Sequence, residues 1–155
     1  MSGPQGTQSR IVVGVDGSEP SREALRWAVR QAGLTGATVE AVIAWHFFPY
    51  IAAGYAWAPL AAMEVATFAE TAQKVVTDAV SSAVDPASTV PVTTKVAEGN
   101  SAQALLDAAS GAELLVVGSR GHGGFTEALL GSVSQHCVHH APCPVVIIRG
   151  KAGSR

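Results

Sequence analysis

Two cysteines in 155 residues are too few for a disulfide framework, so the fold must be held by its core. Charge is also scarce. Only 14% of the residues are charged and the formal net charge is -2, with no run of Lys or Arg to track a phosphate backbone or an anionic membrane. Nucleic acid and membrane surfaces are therefore not expected partners. No apolar run approaches the roughly 18 residues that a membrane span needs. The first ten residues, MSGPQGTQSR, lack the basic start and apolar stretch of a signal peptide, and a cytoplasmic protein is expected. Two nucleotide motifs are missing as well. There is no GxxxxGK[ST], and the first apolar run leads into GVDGSE rather than GxGxxG, which argues against a P-loop and a dinucleotide site.

What is present is a hydrophobic fraction of 48% arranged in alternating short and long runs. Residues 11–15 and 38–44 are β-branched strands, and 92–96 alternates with Thr and Lys as a strand near a sheet edge would. Between the first two, Ser18 is a candidate N-cap with Pro20 in the first turn of a helix that Gly33 to Gly36 closes. Trp27 on that helix reads as a packing residue. Residues 63–84 form a long Ala- and Val-rich helix, and Asn100 with Gln103 makes a capping box for a helix over 101–109. Right-handed βαβ crossovers then give an α/β fold, a doubly wound, mostly parallel five-stranded sheet. One domain is expected over residues 10–150, with flexible ends at 1–9 and 151–155.

The stretch 114–134, LLVVGSRGHGGFTEALLGSVS, organises the rest. An apolar strand ends at Gly118, and the loop beyond it holds Gly121, Gly123 and Gly124, which let backbone N–H groups approach a guest closely. That suits an anion. Gly131-Ser132 opens a helix over 133–140, whose first N–H groups and Ser132 and Ser134 hydroxyls offer a second anion seat. Two seats suggest a polyphosphate. Arg120 is the one cation in the loop, to pair with phosphate or stand in solvent. A flavodoxin-like FMN site would need its phosphate loop after the first strand, where the turn is short and carries Asp16.

The spacing Gly118, Gly121, Gly131-Ser132, with IVVGVDGS before it and PCPVVIIR after it, resembles the nucleotide-binding signature of the universal stress protein family, in its ATP-binding branch. The resemblance covers nearly the whole domain. It implies the sheet order 3-2-1-4-5, related to the Rossmann-like and adenine nucleotide alpha hydrolase-like folds. It implies ATP, with Mg2+, on Gly14, Asp16, Ala44, Gly118, Ser119, Arg120, Gly121, His122, Gly123, Gly124, Gly131, Ser132, Val133 and Ser134. Asp16 would contact the adenosine part and the backbone near Ala44 the adenine; an Asx turn is the other reading of Asp16. It further implies a twofold homodimer through residues 145–148, and a nucleotide-dependent regulator of stress adaptation working on a protein partner still unknown. Slow ATP hydrolysis or nucleotidyl transfer, and a cyclic-AMP-binding role, stand as alternatives.

Two stretches stay open. Residues 45–60 hold six of the nine aromatic residues and read as a long loop, a flap over a base, a partner patch or simple edge packing. HCVHHAPC at 136–143 places His136, His139 and His140 at helical spacings. Its plain reading is a core row of Val133, Cys137 and Ala141 with histidines favoured by the helix C-terminus, rather than a metal site.

Overall fold

β-branched and leucine-rich runs that need cover on both faces fix the centre of the protein. The computed structural model describes residues 8–45, 58–119 and 130–149. Five strands, β1 (Arg10–Gly14), β2 (Thr38–Trp45), β3 (Val92–Glu98), β4 (Leu114–Gly118) and β5 (Val145–Ile148), form one parallel sheet in the order β3-β2-β1-β4-β5. Val12 pairs with Glu40 on one side and Leu115 on the other, and Leu115 in turn pairs with Val145. The helices are α1 (Glu19–Thr35), α2 (Ala58–Ala83), α3 (Ser101–Ala108) and α4 (Ser132–His140).

Side chains alternate across the sheet, so β1, β2, β4 and β5 feed two cores, while the edge strand β3 feeds only the first. Ile11, Val13, Val39, Ala41 and Val116 meet Ala24, Leu25 and Ala28 of α1 and Ala72, Val76 and Ala79 of α2. On the opposite face Val12, Val42, Leu115 and Val117 meet Leu105 and Ala108 of α3 and Cys137 of α4. Alanines spaced by four on α1, Ala24, Ala28 and Ala32, let that helix lie close to the strands. Trp27 packs against the first core, as expected. At the amino ends of the strands Arg10 donates to the carbonyls of Ala108 (2.8 Å) and Ser110 (2.9 Å) and pairs with Glu40, tying β1 to β2 and α3.

Several boundaries differ from expectation for local reasons. α1 runs through Gly33 and ends at Gly36, whose φ of 77° is the left-handed cap that glycine supplies. α2 begins at Ala58 rather than 63, because Pro59 in a first turn costs no hydrogen bond, and Trp45 closes β2 instead of opening a loop. β3 continues two residues further, to Glu98, and is the sheet edge its alternation predicted. The cap of α3 is one-sided: Asn100 accepts from the Gln103 N–H at 3.1 Å, while the Gln103 amide turns forward to Asp107 at 2.8 Å.

The row Val133, Cys137, Ala141 faces the core as read from the sequence, with Cys137 fully buried. Burial pushes the Cys137 thiol up to about 11, and that of Cys143 upward as well. A raised thiol pKa means that the folded state holds its proton longer than the unfolded chain, so these groups subtract stability as pH rises above about 9. Under native conditions at pH 8 a disulfide-exchange reagent is expected to leave Cys137 unmodified and to label half-buried Cys143 slowly. Both react at once after denaturation, and fast native labelling of two thiols would contradict this packing.

Candidate functional site

β1 and β4 are neighbours, yet the chain leaves them toward opposite faces, from β1 to α1 and from β4 to α4. Between their carboxyl ends lies the crevice where sheets of this kind take ligands. Gly14, Asp16, Gly118, Ser119 and the start of α4 come together there, and Ala44 is the last residue but one of the adjacent β2, at the same end of the sheet. Arg120, Gly121, His122, Gly123 and Gly124 lie outside the described residues.

The turn after β1 is held by its own polar groups. Asp16 Oδ1 accepts from the Ser18 N–H at 2.9 Å and from the Ser18 hydroxyl, which is the Asx turn that the sequence offered. Gly17, at φ 83°, makes room for it. Ser18 caps α1 by accepting from the Ser21 N–H, and the Ser21 hydroxyl donates to the Ser18 carbonyl at 2.9 Å. An Asx turn and a ligand contact are compatible, because a carboxylate has about four acceptor positions. Asp16→Asn preserves an oxygen for the turn and Asp16→Ala does not. The Ala variant is expected to lose roughly 1 kcal/mol of stability and the Asn variant less, by thermal unfolding; equal losses would remove the turn from the account.

The end of β4 is pinned at three points. Ser119 N–H donates to Ile148 O, Gly131 N–H donates to Ser119 O, both at 2.8 Å, and the Ser134 hydroxyl donates to Gly118 O at 2.7 Å. The chain thus leaves and re-enters at one place, closing the base of the intervening segment. α4 starts there with Gly131 as N-cap and no side-chain cap bond. Its first turn consequently presents the N–H groups of Ser132, Val133 and Ser134, the arrangement that an anion satisfies.

Two expected roles change. The buried Ser134 hydroxyl is used on Gly118 O and positions the helix instead of offering its proton to a ligand. Gly118 lacks a side chain because Pro20 is in the way: a Cβ there would lie 3.0 Å from Pro20 Cβ and 3.1 Å from its carbonyl carbon. A Cβ on Gly14 would point into the α3 side, 2.8 Å from Leu105 Cδ1. Both glycines therefore serve close packing at the strand ends.

Sequence reasoning placed Pro20 in the first turn of α1 but missed its approach to Gly118, and it missed a pocket of about 400 Å³ between the starts of α3 and α4, lined by Asn100, Ser101, Ser132 and His136 among others. The step of four from Ser132 to His136 was the available signal. The nearness of α3 depends on sheet order and was not. Of the aromatic stretch, Trp45 stacks on Phe68 of α2 with centroids 6.5 Å apart; residues 46–57 lie outside the described residues. Among the described residues no group of three His, Cys, Asp or Glu side chains is placed to hold a metal ion, and no helix is long and apolar enough to cross a membrane.

Comparison with known proteins gives a consistent picture. The model of the universal stress protein family matches residues 8–149. A universal stress protein of Mycolicibacterium smegmatis is 35% identical over 151 residues, which cover 93% of this chain and 49% of that protein. The chain spans about half the length of this and other mycobacterial relatives it matches. The structure of universal stress protein UspA from Lactobacillus plantarum superposes with a TM-score of 0.75 at 24% identity, covering 91% of this chain and 97% of that one. A universal stress protein solved in complex with cAMP superposes at 0.57 with 25% identity, covering 92% and 97%.

Proposed function

The chain belongs to the universal stress protein family, and from that premise we propose that it binds ATP between the ends of β1 and β4 and acts as a nucleotide-dependent regulator of stress adaptation. The observation that carries this reading is the uncapped start of α4, fixed against the end of β4 by the Ser134–Gly118 and Gly131–Ser119 bonds. A preformed row of N–H groups needs no rearrangement to receive a phosphate, and the Ser132 hydroxyl adds a donor. In this reading Gly121, Gly123 and Gly124 supply the other phosphate seat with Arg120 and His122. Asp16 and the Ala44 backbone meet the adenosine part. Mg2+ would be carried by the phosphates.

Occupancy would bias the segment between Ser119 and Gly131, whose two ends are pinned, between states that a protein partner distinguishes. We assign the chain to the cytoplasm, where ATP is abundant. Titration calorimetry with ATP and Mg2+ tests the reading: a single site is expected, and a flat titration of nucleotide-free protein contradicts it. A cyclic-AMP role is the second reading, favoured by the neighbour solved with cAMP. Competition decides between them, since cAMP displaces ATP at lower concentration than AMP only if the second reading holds.

A homodimer is also proposed, through β5. Among the described residues this strand pairs with β4 alone, and its four residues, Val145–Ile148, stay half-buried rather than covered. An apolar edge of this kind invites a second copy. Light scattering at micromolar concentration is expected to give the mass of a dimer for the parent and of a monomer for Val146→Lys; a monomeric parent would remove the interface.

A further inference from the structure

We propose that His136 and His140 of α4 form a two-histidine chelate for a divalent transition-metal ion such as Zn2+, at the C-terminal end of the helix and independent of any nucleotide. Buried Cys137 fixes which way α4 faces, and His136, His139 and His140 are all exposed. At 3.6 residues per turn a step of four returns to nearly the same direction, so His136 and His140 project together while His139 stands to one side of them. The first two rings meet. Their centroids are 4.5 Å apart with planes tilted by 43°, whereas those of His139 and His140 are 6.4 Å apart.

Chelate geometry selects that pair. Two imidazoles on one ion have centroids roughly 4.5–5.2 Å apart, for Zn–N bonds of about 2.0–2.1 Å and an N–Zn–N angle between a right angle and the tetrahedral one. The spacing of His136 and His140 falls within this range and that of His139 and His140 does not. Each neutral imidazole carries one ring-nitrogen lone pair, and among the described residues no hydrogen bond or ion pair engages either ring. Both lone pairs are open to an ion. Position adds a second reason, because His140 is the last residue of α4, where the free carbonyls carry the negative end of the helix dipole and favour a cation. Among the described residues no third His, Cys, Asp or Glu joins the pair, so water or a group from another molecule completes the shell. The ion is therefore exchangeable, unlike one in a closed four-ligand structural site. Imidazole donors suit Zn2+, Ni2+ and Cu2+, whereas Mg2+ prefers oxygen. An ion held by both rings also ties the last two turns of α4 together and stabilises the folded state by mass action.

Calorimetric titration of Zn2+ into the full chain, free of affinity tag and nucleotide and in a buffer that does not bind metal, tests the pair. The parent is expected to take up one ion at this pair, which excess Mg2+ does not displace. His136→Ala and His140→Ala each remove one of the two ligands and are expected to weaken binding at least about tenfold, the loss that even an outer-shell partner can cause. Both side chains are exposed, so these variants should unfold at the parent's temperature when no metal is present. His139→Ala and Cys143→Ser are expected to bind Zn2+ as the parent does. With Zn2+ added, the thermal midpoint should rise for the parent and stay fixed for the His136→Ala, His140→Ala double variant. A parent that takes up no Zn2+, a His136→Ala or His140→Ala variant that binds like the parent, or a loss confined to His139→Ala or Cys143→Ser overturns the chelate.

Discussion

Gly118→Val is expected to lower the stability of the protein by about 3 kcal/mol or more and to abolish nucleotide binding with it. The first carbon of the new side chain would stand 3.0 to 3.2 Å from Pro20 Cβ, carbonyl carbon and carbonyl oxygen. Backbone atoms in the first turn of α1 cannot step aside as a flexible side-chain tip can. α1 is also fixed from below by Leu25 and Ala28, both fully buried. Relief must then come from β4, whose end carries the Ser119–Ile148 and Ser134–Gly118 bonds that position α4. Thermal unfolding checks the first half, with a drop on the order of 10 °C for a domain of this size. Calorimetry with ATP checks the second. A variant that unfolds like the parent would show that the approach of α1 to β4 is looser than described.

Leu115→Ala is the second large effect, and it separates stability from the site. Leu115 is fully buried in the middle of β4, between Val12 of β1 and Val145 of β5, on the face covered by α3 and α4. Truncation removes buried methyl groups and leaves a cavity that strands bonded on both sides cannot close. A loss of roughly 2–5 kcal/mol is expected in denaturant unfolding, with little change in the slope. The side chain points into the core under α3 and α4, where Val133 is the one named site residue packed against the same cluster. Nucleotide affinity of the folded fraction should therefore stay within about a factor of two, roughly 0.4 kcal/mol. A loss below about 1 kcal/mol would mean that the core relaxes around the cavity, and a tenfold loss of affinity would mean that the site depends on this packing.

These two residues also show what a sequence can and cannot say. Leu115 was legible: a four-residue apolar run bounded by Glu113 and Gly118 has no stable place except a strand covered on both faces. The same logic reads β1, β2 and β5, and capping chemistry at Ser18 and Asn100 places the starts of α1 and α3. Gly118 was legible as special, but its reason was not. A glycine-rich motif suggests close approach of a ligand, whereas the nearest neighbour is Pro20, almost one hundred residues away and brought there only by β1 lying beside β4. Ser134 differs for a similar cause. Its helix position announced an exposed N-terminal hydroxyl, and the carbonyl of Gly118 that captures it is set by where the strand ends. Periodicity within one element is local information; which two elements meet at a strand end belongs to the topology. The pocket that holds His136 is of the second kind, since α3 and α4 are adjacent in space and separated in the chain by β4.

The central claim is that the glycine-rich segment and the start of α4 form one nucleotide site. Denaturing the purified protein and identifying what is released by chromatography and mass spectrometry tests it most directly, beside a Gly121→Ala, Ser132→Ala double variant whose folding is verified by circular dichroism. A site with a dissociation constant near 10 µM, worth about 7 kcal/mol, is filled at the roughly millimolar ATP of a cell, and rapid isolation at high protein concentration samples that occupancy. The account predicts ATP or ADP from the parent and none from the folded variant. Empty parent protein that also gives a flat calorimetric titration with ATP and Mg2+ would contradict it.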